Sequence, residues 1–255
     1  MTTPLSVLRF LADEAAAGQR TALIVLTGIE GSAARGVGTL MAVSDRDNAE
    51  AAWLGSLSGG CVETSLVGEA QRVIAAGRAE MLRIGAGSPL IDIRLPCGSG
   101  MDLLIVPFPD RDSAITEACK ALAGRQPATL TFTRDGQVKV INEPAKTGWQ
   151  DDLFTLHIVP QLRVLIAGHG EEVTALAALA HAWGAEVVVL SPEQRIVEAS
   201  AAYGETVWLK SPGSNPSLAL DRWSALVMLF HDHDWETALL AQAVGQPALF
   251  IGAMG

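Results

Sequence analysis

From Arg163 to the last residue, short apolar runs rich in β-branched residues alternate with stretches of helical periodicity, and this alternation restricts the fold more than any other feature of the chain. Strands are expected at 163–167, 186–190, 205–209, 225–230 and 248–251, with helices between them. Neighbouring parallel strands need a long crossover, usually a helix, so the pattern predicts an α/β fold: a mostly parallel, doubly wound, Rossmann-like sheet.

The first part of the chain has no such regularity and reads as a separate mixed α/β domain. An amphipathic helix opens it. Strands are expected at 21–26, 39–43, 52–57, 91–95 and 101–106, helices at 62–76 and 113–123, and a hairpin over 129–141 that turns at Asp135-Gly136. Residues 143–150 read as a linker, which gives domains at 1–145 and 160–255.

Charge narrows the partners. The chain of 255 residues carries 28 acidic against 18 basic residues, a formal charge of −10, and it has no Lys/Arg run of the kind that grips phosphate backbones. Nucleic acid and anionic membrane surfaces are therefore not expected partners. Asp13 and Glu14 stand where a signal peptide would need its cleavage site, and the longest apolar stretch, 173–190, is interrupted by His181, Gly184 and Glu186. Three cysteines are too few for a disulfide framework. No membrane span and a cytoplasmic location are expected.

Two of those cysteines are wrapped in glycine. Cys61, in GSLSGGCVE, falls at or beside the start of the helix expected from residue 62, where unsatisfied amides and the helix dipole favour thiolate. Cys97, in LPCGSG, falls in a tight turn between two expected strands. Each is a candidate reactive thiol, and each could equally be a small buried residue in a turn. Neither belongs to a CxxC pair, so a metal would need further ligands. Cys119, in a helical run without glycines, reads as a packing residue.

Three other segments carry possible chemistry. The loop from Gly28 to Gly38 sets Arg35 among small residues, a composition suited to holding an anion with amides and one guanidinium, or simply to an exposed hairpin loop. Gly168-His169-Gly170 follows a strand and opens a helix, as a dinucleotide fingerprint would, but Val173 takes the third glycine position, Glu171 and Glu172 crowd the pyrophosphate position, and Ser191 stands where an acidic ribose partner is expected. His231-Asp232-His233-Asp234 leaves the carboxyl end of a strand and could hold a divalent metal, supply an acid and base, or be a polar loop in which Asp234 caps a helix over 235–244.

Taken in order, GSAARGVGTLM at 31–41, GSLSGGCVE at 55–63, LPCGSGMDLLIVP at 95–107, VLIAGHG at 164–170, and HDHD followed by GAMG at the end resemble the XdhC/CoxI family. The resemblance implies an accessory protein, a carrier rather than a catalyst. It would bind molybdenum cofactor (molybdopterin) as cargo, support its sulfuration with a cysteine desulfurase, and deliver it to the apo-enzyme of a molybdenum hydroxylase such as xanthine dehydrogenase or carbon monoxide dehydrogenase. A homodimer is also expected.

Carried over residue by residue, Cys61 and Cys97 become the sulfur-handling thiols. Gly31, Ser32 and Arg35 would lie in the anion-gripping loop, and Ser58, Gly59, Gly60, Glu63 and Gly98 beside the cofactor. NAD(P) is not expected. The alternative is an NAD(P)-dependent oxidoreductase built on Gly168, His169 and Gly170, with His231 or His233 as acid and base. The chain departs from the family pattern at Ala34, Ser99, Val106 and Ser191, and it stops at Gly255, where the Rossmann-like half reads as shortened.

Overall fold

A computed structural model of the chain describes residues 2–46, 50–60, 62–88, 98–110, 112–141, 143–212 and 217–254. The chain divides into two compact units, Thr2–Pro160 and Gln161–Gly255.

The first unit begins with α1 (Pro4–Ala16), which Thr3 starts by accepting the amide of Ser6 at 3.1 Å, with Pro4 in the first turn where a missing N–H costs nothing. Then follow β1 (Arg20–Glu30), β2 (Leu40–Asp45), β3 (Ala52–Gly55), α2 (Glu63–Ala76), β4 (Glu80–Gly85), β5 (Gly100–Phe108) and α3 (Ser113–Ala123). The unit ends in β6 (Ala128–Thr133), β7 (Val138–Ile141), β8 (Gly148–Gln150) and β9 (Leu153–Ile158). An antiparallel sheet runs β3-β2-β1-β5-β4, and a second runs β7-β6-β9-β8.

Both faces of the first sheet are covered, which is why the centre of β1 reads as an unbroken apolar run. Ala22, Ile24 and Leu26 face a cluster with Leu66, Ala70 and Val73 of α2, while Leu23 and Val25 face α1, α3, and Phe132 and Phe154 of the second sheet. The expected strands, helices and Asp135-Gly136 hairpin recur with shifted ends, except that β1 continues through Gly28 to Glu30, held in place by β5. Residues 143–150 are not a linker. They lie inside the first unit and end in β8, a strand of three residues that is too short to show a periodicity of its own. The strand expected at 91–95 lies outside the described residues. Cys119 packs half-buried against the α1/α3 cluster, and burial pushes its thiol up.

The second unit comprises β10 (Arg163–Gly168), α4 (Glu171–Trp183), β11 (Glu186–Ser191), α5 (Gln194–Ser200), β12 (Glu205–Trp208), β13 (Ser224–Leu229), α6 (His233–Ala243) and β14 (Phe250–Ala253). All strand pairs are parallel, in the order β12-β11-β10-β13-β14. Val164 and Ile166 face α4 and α5 on one side of the sheet, and Leu165 and Ala167 face α6 on the other. This is the doubly wound, Rossmann-like sheet that the alternation required. No helix among the described residues is long and apolar enough to cross a membrane.

Candidate functional site

Strand direction gathers the sequence motifs of the first unit. Because β1 is antiparallel to β2 and β5, and β3 and β4 are antiparallel to β2 and β5 in turn, the carboxyl ends of β1, β3 and β4 and the amino ends of β2 and β5 share one end of the sheet. From that end emerge loop 31–39, residues 56–60 with Val62, and the two described ends, 86–88 and 98–99, of the chain between β4 and β5. The first and third touch: a Cβ on Gly31 would stand 3.5 Å from that of Ser99. The first and second share a core, since Ala33 packs on the cluster that holds Leu57 and Val62. Gly31, Ser32, Arg35, Ser58, Gly59, Gly60 and Gly98 are therefore brought to one end of one sheet. Cys61 and Cys97 lie outside the described residues.

Loop 56–62 is organised around Glu63, a buried carboxylate at the first position of α2. Its Oε1 accepts the Ser56 hydroxyl at 2.8 Å and the Leu57 and Ser58 amides at 3.0 and 2.9 Å. Its Oε2 accepts the Ser58 hydroxyl at 2.8 Å and the Val62 amide at 3.2 Å. The two hydroxyls act again as acceptors, Ser56 from the amide of Gly59 at 3.0 Å and Ser58 from that of Val62 at 3.2 Å. Burial alone would raise the pKa of this group, but donation from Ser58 and Ser56 outweighs it and holds the carboxyl at about 2. Gly59 and Gly60 make the tight winding possible at φ +85 and +115, and Gly55 at φ +116 lets β3 approach so closely that a Cβ would lie 2.5 Å from the carbonyl of Leu40.

This changes the electrostatic expectation for the motif. The amides of Leu57, Ser58 and Val62, which could have lent positive potential to an anion or a thiolate, are aimed at a carboxylate.

Two arginines at the same end of the sheet differ in the same way. Arg83 is spent: it donates to the Ala86 carbonyl at 2.8 Å and to both oxygens of Asp102 at 2.9 and 3.1 Å, and it pairs with Glu30. Those partners raise its pKa, Asp102 most. Gly100 leaves room for this pair, because a Cβ there would come within 2.6 Å of the guanidinium. Arg35 is exposed and pairs with no described residue. Sequence reading missed the Arg83 cluster; the signal was the opposite charges of Arg83 and Asp102, which face each other across β4 and β5.

In the second unit, Gly168, His169 and Gly170 lie at the carboxyl end of β10, next to the end of β13, where the strand order reverses. Gly168 has no room for a side chain, since a Cβ would lie 2.5 Å from the carbonyl of Leu229. Gly170, at φ +85, is the N-cap of α4 and supplies no capping side chain; a Cβ on it would meet the Glu172 carboxylate at 2.5 Å. A carboxylate thus stands at the helix end where a pyrophosphate would be held. The ring of His169 meets Phe230 edge-on at 5.1 Å, and Phe230 stacks on Trp235 at 6.1 Å.

His231 and His233 are exposed. Asp232, and not Asp234 as expected, caps α6, accepting the Asp234 amide at 2.9 Å, because the helix begins two residues earlier than its apolar pattern does. Glu236 is buried in the same turn: one oxygen lies 3.4 Å from Nδ1 of His233, and the other has no partner among the described residues. Among the described residues no three His, Cys, Asp or Glu side chains converge to hold a metal.

Residues 14–85 match the XdhC and CoxI family and residues 164–255 match the XdhC Rossmann domain. The chain is 30% identical over 251 residues to the molybdenum cofactor insertion chaperone PaoD of Escherichia coli (strain K12), an alignment that covers 98% of this chain and 71% of the relative. In fold it is similar to a crystal structure described as a xanthine dehydrogenase from Bacillus halodurans, with a TM-score of 0.74 at 18% identity, covering 97% of this chain and 81% of that one.

Proposed function

The chain belongs to the XdhC and CoxI family, and from that premise we propose that it is an accessory protein that binds molybdenum cofactor, supports its sulfuration and delivers it to a molybdenum hydroxylase of the xanthine dehydrogenase or carbon monoxide dehydrogenase type. The observation that supports this reading is the gathering of loop 31–39, residues 56–60 with Val62, and residues 86–88 and 98–99 at one end of the first sheet, the end that also carries Arg35, a guanidinium paired with no described residue. Each element has a task. Arg35, with the small residues Gly31 and Ser32, meets negative charge on the cargo. Cys61 and Cys97 are the soft ligands that hold or sulfurate it, the second task in company with a cysteine desulfurase. The protein acts in the cytoplasm as a homodimer and turns nothing over.

The test is to purify the chain from cells that make molybdenum cofactor, oxidise any bound pterin and read its fluorescence, comparing wild type with Cys61→Ala and Cys97→Ala. Wild type should carry pterin and each variant should carry several-fold less. Equal pterin in all three would remove the thiols from the mechanism. The rival, an NAD(P)-dependent oxidoreductase, draws no support from α4, where Glu172 stands over Gly170. Binding of NAD or NADP in calorimetry at millimolar cofactor would revive it.

A further inference from the structure

Glu63 follows Cys61 by two residues in the motif whose resemblance implied contact with the cofactor, yet nothing about the carboxylate is available to a ligand. The residue is 3% exposed. A carboxylate offers about four lone-pair positions. Five donors already converge on this one: the hydroxyls of Ser56 and Ser58 and the amides of Leu57, Ser58 and Val62. The backbone on either side of Cys61 is tied to it, directly at Val62 and through the Ser56 hydroxyl at Gly59.

We propose, resting on the cofactor-carrier reading, that Glu63 is the positioning residue of the cysteine motif rather than a ligand of the cargo, the template that fixes residues 56–59 on one side of Cys61 and Val62 on the other. Only an acceptor at both ends can do this. A glutamine of the same shape would turn its N–H donors either toward the Val62 amide or toward those of Leu57 and Ser58, so donor would face donor in each orientation. Charge is needed as well as shape, because a neutral acceptor gains less from each buried N–H.

The test compares wild type, Glu63→Gln and the double variant Ser56→Ala/Ser58→Ala, all purified from cells that make molybdenum cofactor. Pterin is measured per folded chain, with the folded fraction taken from circular dichroism well below the melting midpoint. Hydrogen exchange at the amides of Leu57, Ser58 and Val62 is followed in parallel. Glu63→Gln should hold about tenfold less pterin per folded chain, and its three loop amides should exchange about a hundredfold faster while those of β1 stay protected. The double variant keeps the carboxylate and its amide bonds, so it carries the test if Glu63→Gln does not fold; it should lose about threefold to fivefold in pterin. Wild-type pterin loading in either variant, or wild-type exchange in Glu63→Gln, would overturn the assignment. If wild type itself carries no pterin, the carrier reading fails and the exchange rates alone decide whether Glu63 holds the loop.

Discussion

Glu63 and Glu236 are both buried carboxylates in the first turn of a helix, one in each unit, and their surroundings are opposite. Glu63 is enclosed by five donors from a loop that bends back over it. Glu236 has the ring of His233 at 3.4 Å from one oxygen and no hydrogen-bond partner among the described residues on the other. Removing a carboxylate from water costs several kcal/mol, and only hydrogen bonds of good geometry return it. The first glutamate is therefore part of what keeps its loop in shape, whereas the second is a cost that its helix carries. Burial alone does not separate the two; the number of donors does.

That contrast is most directly broken by truncation. Glu63→Ala would strand the amides of Leu57, Ser58 and Val62 and should cost the first unit about 3–5 kcal/mol in urea unfolding. A cost below about 1 kcal/mol would mean that water replaces the carboxylate without loss.

Acid tests the same feature. The Glu63 carboxyl sits at about 2 in the folded chain against 4.5 as its ordinary value, so its ionised form favours folding at every pH above that ordinary value. The contribution, about 3 kcal/mol, should drain away as pH falls from about 4.5 to about 2. Glu63→Gln should be flatter than wild type over this window, and parallel curves would assign the acid lability to other carboxylates.

Gly55→Ala comes next, since its Cβ would press on the Leu40 carbonyl at 2.5 Å from a backbone at φ +116; about 2–3 kcal/mol of lost stability is expected in the same unfolding assay. Glu236→Gln removes a buried charge with few donors to strand, so it should leave the second unit within about 1 kcal/mol of wild type or stabilise it. A loss above about 2 kcal/mol would reveal a partner for the orphan oxygen and erase the contrast. Smallest of all in stability is Arg35→Ala, expected to shift unfolding by less than about 0.5 kcal/mol while lowering bound pterin.

The sequence was most legible where secondary structure repeats. The five parallel strands could be read because the central three, β10, β11 and β13, are largely buried apolar runs and all five alternate with helices, so composition and spacing agree. β4 was not read: Leu82 and Ile84 alternate toward the core, but with Arg83 between them the strand is too short and too polar to stand out as an apolar run. Gly100 and Gly28, on the neighbouring strands, make the space for Arg83 against Asp102. The cysteine motif could be located from its residues, and the role of its glutamate could not. An acid two residues after a cysteine suggests a ligand, and only the fold shows that the serines at 56 and 58 turn inward to meet it.

The first sheet has no face left to offer. α2 covers one side, while α1, α3 and the second sheet cover the other. A cargo held at these loops, as proposed, would arrive end-on, along the axis of the strands, and leave by the same path. Neither layer of packed side chains has to part for that exchange, so its barrier is that of loop motion, on the order of microseconds to milliseconds, rather than that of unfolding. The hydrogen bonds that hold this end in shape are those on Glu63, so loosening them exchanges stability of the first unit for loop motion.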